Sequence, residues 1–235
     1  MLYSGQNHLL ASLPAADLQR WLPQLEAIEL SAGMVLCEPR GELSHVVFPT
    51  SAIVSLMYLT KNGGSTEIAA IGNEGLIGIS LFMGGSFTPS RAVVRNAGRG
   101  LRMKAQAIKA EFERMTIKRV LLRYMQALIT QAAQTAVCNR HHFIDQQLCR
   151  WLLLSLDRLP GDELEVTQEL IAGALGVRRE GVTGSAARLQ KAGLIRYSRG
   201  RIKVLDRAGL ERHSCECYAV VKMEYERLLP LNAAA

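Results

Sequence analysis

Between Arg178 and Arg207 the chain carries nine basic side chains: Arg178, Arg179, Arg188, Lys191, Arg196, Arg199, Arg201, Lys203 and Arg207. Only two acids, Glu180 and Asp206, accompany them. The resulting excess equals the formal charge of +7 carried by all 235 residues, so the rest of the chain is neutral on balance. Guanidinium and ammonium groups at this density suit a polyanion, either a nucleic acid or an anionic membrane surface. The bland alternative is a solvated basic face.

Catalytic chemistry has no comparable signal. The sequence contains no nucleophile elbow, phosphate-binding loop or HExxH motif. Glu38, Glu42, His45, Glu67 and Glu74 share one region, at spacings that specify no reaction. A non-enzyme is expected. The five cysteines (Cys37, Cys138, Cys149, Cys215 and Cys217) are odd in number and scattered, which suits reduced thiols rather than a disulfide framework. Cys138, His141, His142 and Cys149 have metal-like spacing, but without further paired ligands they read as a connection between helices. Cys215 and Cys217 would point about 200° apart on a helix and could not clasp one ion there. No metal and no cofactor are expected.

The basic residues are positioned by the stretch from Val166 to Tyr197. Thr167 can cap a helix that buries Leu170, Ile171, Ala174 and Leu175. Gly176 supplies a left-handed turn, with Val177 buried in it. A second helix starts at about Arg178, buries Val182, Ala186 and Leu189, and presents Arg179, Glu180, Thr183 and Arg188 outward. Two short helices around a glycine turn form a helix-turn-helix, whose second helix fits a major groove. Residues 194–204 then alternate apolar and basic side chains around Ser198-Arg199-Gly200. That pattern reads as a two-stranded wing able to reach flanking phosphates.

Upstream, leucines at helical spacing predict helix over residues 1–30, interrupted at Pro14 and Pro23. From Ala32 to about Lys104, short Val- and Ile-rich runs are broken every eight to twelve residues by turn formers, which predicts an antiparallel sandwich or barrel. Asn62-Gly63-Gly64 marks a hairpin turn. Residues 105–139 lack Gly and Pro and read as helix. Within it Leu122, Met125, Ile129, Ala132 and Ala136 recur in steps of three and four, with Leu121, Leu128 and Val137 beside them. Two readings stay open: a helix packed on the barrel, or two parallel helices meeting in a dimer. Asp145–Leu159 predicts another helix, ended by Pro160-Gly161.

In this order of elements the chain resembles the Crp/Fnr family of bacterial regulators. Leu175-Gly176-Val177-Arg178-Arg179-Glu180-Gly181-Val182 and Arg150-Trp151-Leu152-Leu153 carry the likeness. The resemblance implies an α+β chain. An N-terminal antiparallel β-barrel sensor domain, cupin- or jelly-roll-like and of the cyclic-nucleotide-binding kind, would span residues 1–108. A dimerisation helix would span 109–140, and a winged helix-turn-helix with a C-terminal helix 141–235. It further implies a cytoplasmic homodimer on a pseudo-palindromic site in double-stranded DNA, and RNA polymerase as partner for an activator. No membrane is expected: no signal-like segment opens the sequence and no long apolar run follows. The expected DNA-binding residues are Thr167, Arg178, Arg179, Glu180, Thr183, Arg188, Arg199 and Arg201. Dimerisation is expected through Leu122, Met125, Ile129, Ala132 and Ala136.

The family's recognition helix carries an Arg-Glu pair followed by an arginine. Arg179 and Glu180 match the pair, whereas the third position falls on Gly184. Cyclic-nucleotide binders of the family use a Gly-Glu-Leu segment and a later Arg-Ser/Thr-Ala. Here the corresponding stretches are Gly72-Asn73-Glu74-Gly75-Leu76 and Ser90-Arg91-Ala92, so the arginine has slipped one place and its strand face has inverted. Glu74, Gly75, Ser90 and Arg91 define a candidate effector pocket of degenerate type; a cyclic-nucleotide-responsive regulator is the alternative. A ligand-binding barrel protein or enzyme with no DNA role is a remoter one. Two other sensor chemistries of the family fit poorly. An iron–sulfur centre needs clustered N-terminal thiolates and Cys37 stands alone, while a haem would have to use His45 or Cys37.

Overall fold

Residues 6–85 and 87–230 are described by a computed structural model. Two short helices, α1 (His8–Ala11) and α2 (Ala15–Trp21), lead into a β domain. Its strands are β1 (Glu26–Leu30), β2 (Val35–Cys37), β3 (His45–Pro49), β4 (Ile53–Leu59), β5 (Ser65–Ile71), β6 (Arg91–Asn96) and β7 (Gly98–Lys104). The hydrogen-bonded ladders form two antiparallel sheets, one ordered β1-β7-β3 and the other β2-β6-β4-β5. Phe48, Val54, Ile71, Val94, Leu101 and Met103 fill the space inside as one apolar core. The antiparallel β domain read from the sequence is therefore present. So is its hairpin, which closes through Gly63 at φ +84°, a conformation glycine reaches without steric cost.

Two local expectations are corrected. Helix was expected through residue 30, but Glu26–Leu30 is a strand paired along its whole length with β7. Tertiary pairing overrides the leucine spacing there. The uninterrupted helix expected over residues 105–139 is two helices, α3 (Ala105–Phe112) and α4 (Met115–His141). Ile108 and Ile117 are both fully buried in the same core. On one straight helix, nine residues would set them on opposite faces. The extended backbone of Arg114 turns the chain so that both can bury.

The C-terminal part comprises α5 (Ile144–Leu156), β8 (Glu163–Glu165), α6 (Gln168–Leu175), α7 (Arg179–Lys191), β9 (Ile195–Ser198), β10 (Arg201–Val204), α8 (Arg207–His213) and α9 (Glu216–Leu228). Leu148, Leu152, Ile171, Val182, Leu189 and Ile202 centre a second core. The last helix, α9, returns to pack along α4.

Two buried ion pairs join the two parts. Glu67 on β5 accepts both bonds from Arg95 on β6, at 3.0 and 3.1 Å, a further one from the Trp151 indole at 3.1 Å, and one from Ser55. The Arg95 guanidinium also donates to Ser155 on α5 at 2.7 Å and lies 4.2 Å from the Trp151 ring centre. Beside this, Arg158 donates to Glu74 at 2.7 Å and to Gln131 on α4 at 2.9 Å. The Arg95 and Glu67 side chains are only 2% and 7% exposed, so neither charge has water as a substitute partner. Removing one partner from such a pair typically costs 3–5 kcal/mol. Glu67→Gln should therefore lower the unfolding free energy in urea by about that much. A loss below about 1 kcal/mol, the scale of exposed pairs, would show that the pair anchors nothing.

Candidate nucleic-acid interface

The helix-turn-helix is built from the residues that predicted it. Thr167 Oγ1 accepts from the Leu170 amide at 3.2 Å and caps α6. Ile171, Ala174 and Leu175 are buried. Leu170, expected inside, is exposed, because α6 presents its Ile171–Ala174–Leu175 side to the core. Gly176 ends the helix at φ +67°. A side chain there would be strained, and its Cβ would also stand 2.6 Å from Thr66 Oγ1 on β5. Val177 is partly buried in the turn. Helix α7 then buries Val182, Ala186 and Leu189 as expected.

The outward face of α7 differs from the expectation in its details. Arg178, Arg179 and Glu180 are exposed at its N-terminal end, and neither arginine has an acidic partner among the described residues. Thr183 is committed elsewhere: its hydroxyl donates to Gln168 on α6 at 2.7 Å and so ties the two helices together. Arg188 grips Asp145 on α5 through both carboxylate oxygens. That bond, with a second from Ser185, holds the Asp145 carboxyl below its ordinary range. Arg188 thus braces α7 against α5. Gly184 leaves bare backbone where the resemblance expects an arginine; only the end of the Arg188 side chain comes near. Gly181 has a packing reason, since a Cβ there would lie 2.8 Å from Ile144 on α5.

Strands β9 and β10 form the wing as a hairpin, and β8 adds a third strand beside β10. Arg199 (φ +49°) and Gly200 (φ +76°) make its tip. Arg201 is held by Glu165 at 2.8 Å and Glu163 at 3.8 Å, and Lys203 lies 3.5 Å from Asp162. Arg196 and Arg199 have no acidic partner among the described residues and line one side of the wing with these groups. The wing's uncommitted charge therefore lies at Arg199 on its tip and at Arg196 on β9.

The four candidate effector residues are not brought together. Glu74 belongs to the Arg158 ion pair and lines a groove of about 350 Å³ with Tyr225 and Lys222 of α9. Gly75 admits the Tyr124 ring, whose hydroxyl donates to Leu76 O at 2.7 Å. Ser90 is buried against Thr88. Arg91, on the face of β6 opposite Ala92, reaches Glu38 at 3.1 Å. On α4, Leu121 and Leu128 bury in the β-domain core, whereas Leu122 and Ile129 are 47% and 63% exposed. Met125 and Ala132 are half-buried and Ala136 is exposed. One face of the helix packs inward and an apolar stripe faces out.

The sequence reading missed two features. The Glu67–Arg95 pair left a faint trace, each residue being a charge next to a run of apolar strand residues. Cys215 and Cys217 do not diverge as expected. Cys215 is the extended N-cap of α9 rather than a helical residue, so the 200° argument does not apply.

A β domain, a long helix and a winged helix-turn-helix follow one another along the chain, and the arginines at the start of the second helix have no acidic partner among the described residues. Residues 146–213 match the family model of the Crp-like helix-turn-helix domain. FixK2 of Bradyrhizobium japonicum shares the fold at 14% identity and a TM-score of 0.68, over 81% of this chain and 98% of that one. A CRP-family transcriptional regulator of Thermus thermophilus does so at 18% identity and 0.66, over 80% and 96%. The c-di-GMP-responsive global regulator CLP of Xanthomonas campestris does so at 14% and 0.64, over 82% and 99%. No curated protein matches the sequence. Residues 146–213 therefore form a helix-turn-helix domain of the Crp-like kind, and the chain as a whole shares its fold with solved regulators of the Crp/Fnr type. Among the described residues no helix is long and apolar enough to cross a membrane.

The interface separates two kinds of contact. On a duplex, an arginine at the start of α7 could donate twice to guanine, whereas the wing tip would be nearer the backbone phosphates. Arg179→Ala should cost about 1–3 kcal/mol and relax specificity at one base pair per half-site. Arg199→Ala should weaken all sequences alike and lower the slope of log K against log salt by about one. Site selection and salt titrations on both variants check this. A wing variant that altered base preference would reverse the assignment.

Proposed function

We propose that the chain is a cytoplasmic, non-enzymatic regulator that binds a pseudo-palindromic operator as a homodimer, with a degenerate effector pocket. One observation carries the reading: Arg178 and Arg179 stand exposed, without acidic partners among the described residues, at the entering end of a helix that the Arg188–Asp145 bridge holds in place. Thr167, Arg178, Arg179 and Glu180 would face the groove, and Arg199 the flanking phosphate. Arg201 would do so after exchanging its glutamates for the backbone. For an activator, RNA polymerase is the further partner.

The stripe on α4 supports the dimer. Leu122, Met125, Ile129, Ala132 and Ala136 run along its length, and Leu122 and Ile129 lie open where a soluble monomer would gain by burying them. Small residues toward the C-terminal end let two helices approach closely. The alternative, a cyclic-nucleotide-responsive regulator, lacks a supporting contact, since Glu74 and Arg91 are each engaged in separate ion pairs. Titration calorimetry with cyclic AMP and cyclic GMP separates the two readings, and micromolar binding lost in Arg91→Ala would favour the alternative.

Ile129→Glu should place like charges across the α4 seam, yield monomers by light scattering and weaken operator binding at least tenfold, about 1.4 kcal/mol. A variant that stays dimeric would refute this placement of the dimer. A wild-type chain that showed no salt-dependent preference for duplex DNA over a neutral polymer would refute the reading as a whole.

A further inference from the structure

Where α4 gives way to α5, four side chains from distant parts of the sequence converge. Cys138 lies in the last turn of α4 and His142 is that helix's C-cap, one turn further on. Cys215 is the N-cap of α9 and Cys217 lies in its first turn. Their sulfur and nitrogen atoms all lie within 4.8 Å of one another. Cys138 Sγ is 3.5 Å from Cys215 Sγ, and Cys217 Sγ is 3.7 Å from His142 Nδ1.

The 3.5 and 3.7 Å separations are close to those of ligands around one small ion. Zinc binds thiolate sulfur at about 2.3 Å and imidazole nitrogen at about 2.0–2.1 Å. A tetrahedral centre with those bonds sets two sulfurs about 3.8 Å apart, and a sulfur and a nitrogen about 3.6 Å apart. We propose that Cys138, His142, Cys215 and Cys217 form a tetrahedral zinc site that fastens the end of α4 to the start of α9.

Three surrounding features favour a metal over thiols that merely pack together. His142 turns Nδ1 toward the sulfurs and Nε2 toward Glu216, 3.3 Å away. A carboxylate on the outer nitrogen fixes the tautomer of a metal-bound imidazole and raises its basicity. Arg150 is buried, with Nη2 donating to Thr135 and no acidic partner among the described residues. Its Nε has no hydrogen-bond partner at all. Three thiolates, a neutral imidazole and a divalent cation leave one net negative charge, and Arg150 is placed to balance it: its charge acts on both Cys138 and Cys217. Finally, Cys215 caps the N-terminus of α9, where the helix dipole favours a thiolate. Three sulfurs and a nitrogen, closed and mostly buried, make a structural site of the soft-ligand kind that suits zinc.

The test uses the full chain, purified under reducing conditions and titrated with cobalt(II) alone. Binding of one cobalt per chain should produce the intense visible bands of tetrahedral cobalt thiolate, and zinc should abolish them. Cys138→Ser and Cys217→Ser should lose the thiolate bands. Glu216→Gln should keep them while binding about tenfold or more weakly, the usual effect of losing a carboxylate behind a ligating histidine. Cys149→Ser removes a buried thiol outside the cluster and should bind as wild type. The weak spectrum of octahedral cobalt in the wild type would overturn the site, independently of any variant's folding. So would a Cys138–Cys215 disulfide that persists in reductant with zinc present.

Discussion

The arrangement of this molecule depends on keeping two charges dry. Glu67 and Arg95 sit on neighbouring strands of one sheet, yet their remaining hydrogen-bonding capacity is met from α5, by Trp151 and Ser155. A buried ion pair is tolerable only when its geometry is good and its other polar atoms are satisfied. The seating of the C-terminal part on the β domain therefore satisfies both of these charges. Arg158 repeats the device a turn beyond α5, where Glu74 and Gln131 hold it.

Because both devices use β5 and the segment after it, the strand has a second consequence. Residues adjoining Glu67 also meet the first helix of the helix-turn-helix. Thr66 packs on Gly176, and Ser65 donates to the Gly173 carbonyl at 3.5 Å. The turn glycine thus answers two demands at once, a left-handed backbone and close approach to another part of the fold. Gly72 and Gly75, which resemble part of an effector motif, serve the same end: they admit Arg158 and Tyr124. At both positions a Cβ would collide with a side chain from another part of the fold.

What was legible in the sequence was what local chemistry decides. Thr167, Gly176, the apolar spacing of α7, the Asn62–Gly64 turn and the wing all state their conformations within a few residues. The misread features depend on partners far along the chain. Pairing with β7 makes a strand of Glu26–Leu30, and a shared core breaks the helix between Ile108 and Ile117. Asp145, 43 residues before Arg188, takes that arginine out of the free basic face, and Glu163 and Glu165 do the same for Arg201. Spacing alone could not bring Cys138 to Cys215, which are 77 residues apart. Charge counted along the sequence therefore overstates what is free to meet DNA, and among the described residues of the helix-turn-helix and wing the arginines without acidic partners are Arg178, Arg179, Arg196 and Arg199.

Two copies joined along α4 would present two such α7 ends to one duplex. Hydroxyl-radical footprinting on a site selected from random duplex DNA tests this most directly. The account predicts two protected patches related by two-fold symmetry, with centres one helical turn apart, roughly 34 Å. A single asymmetric patch would contradict it.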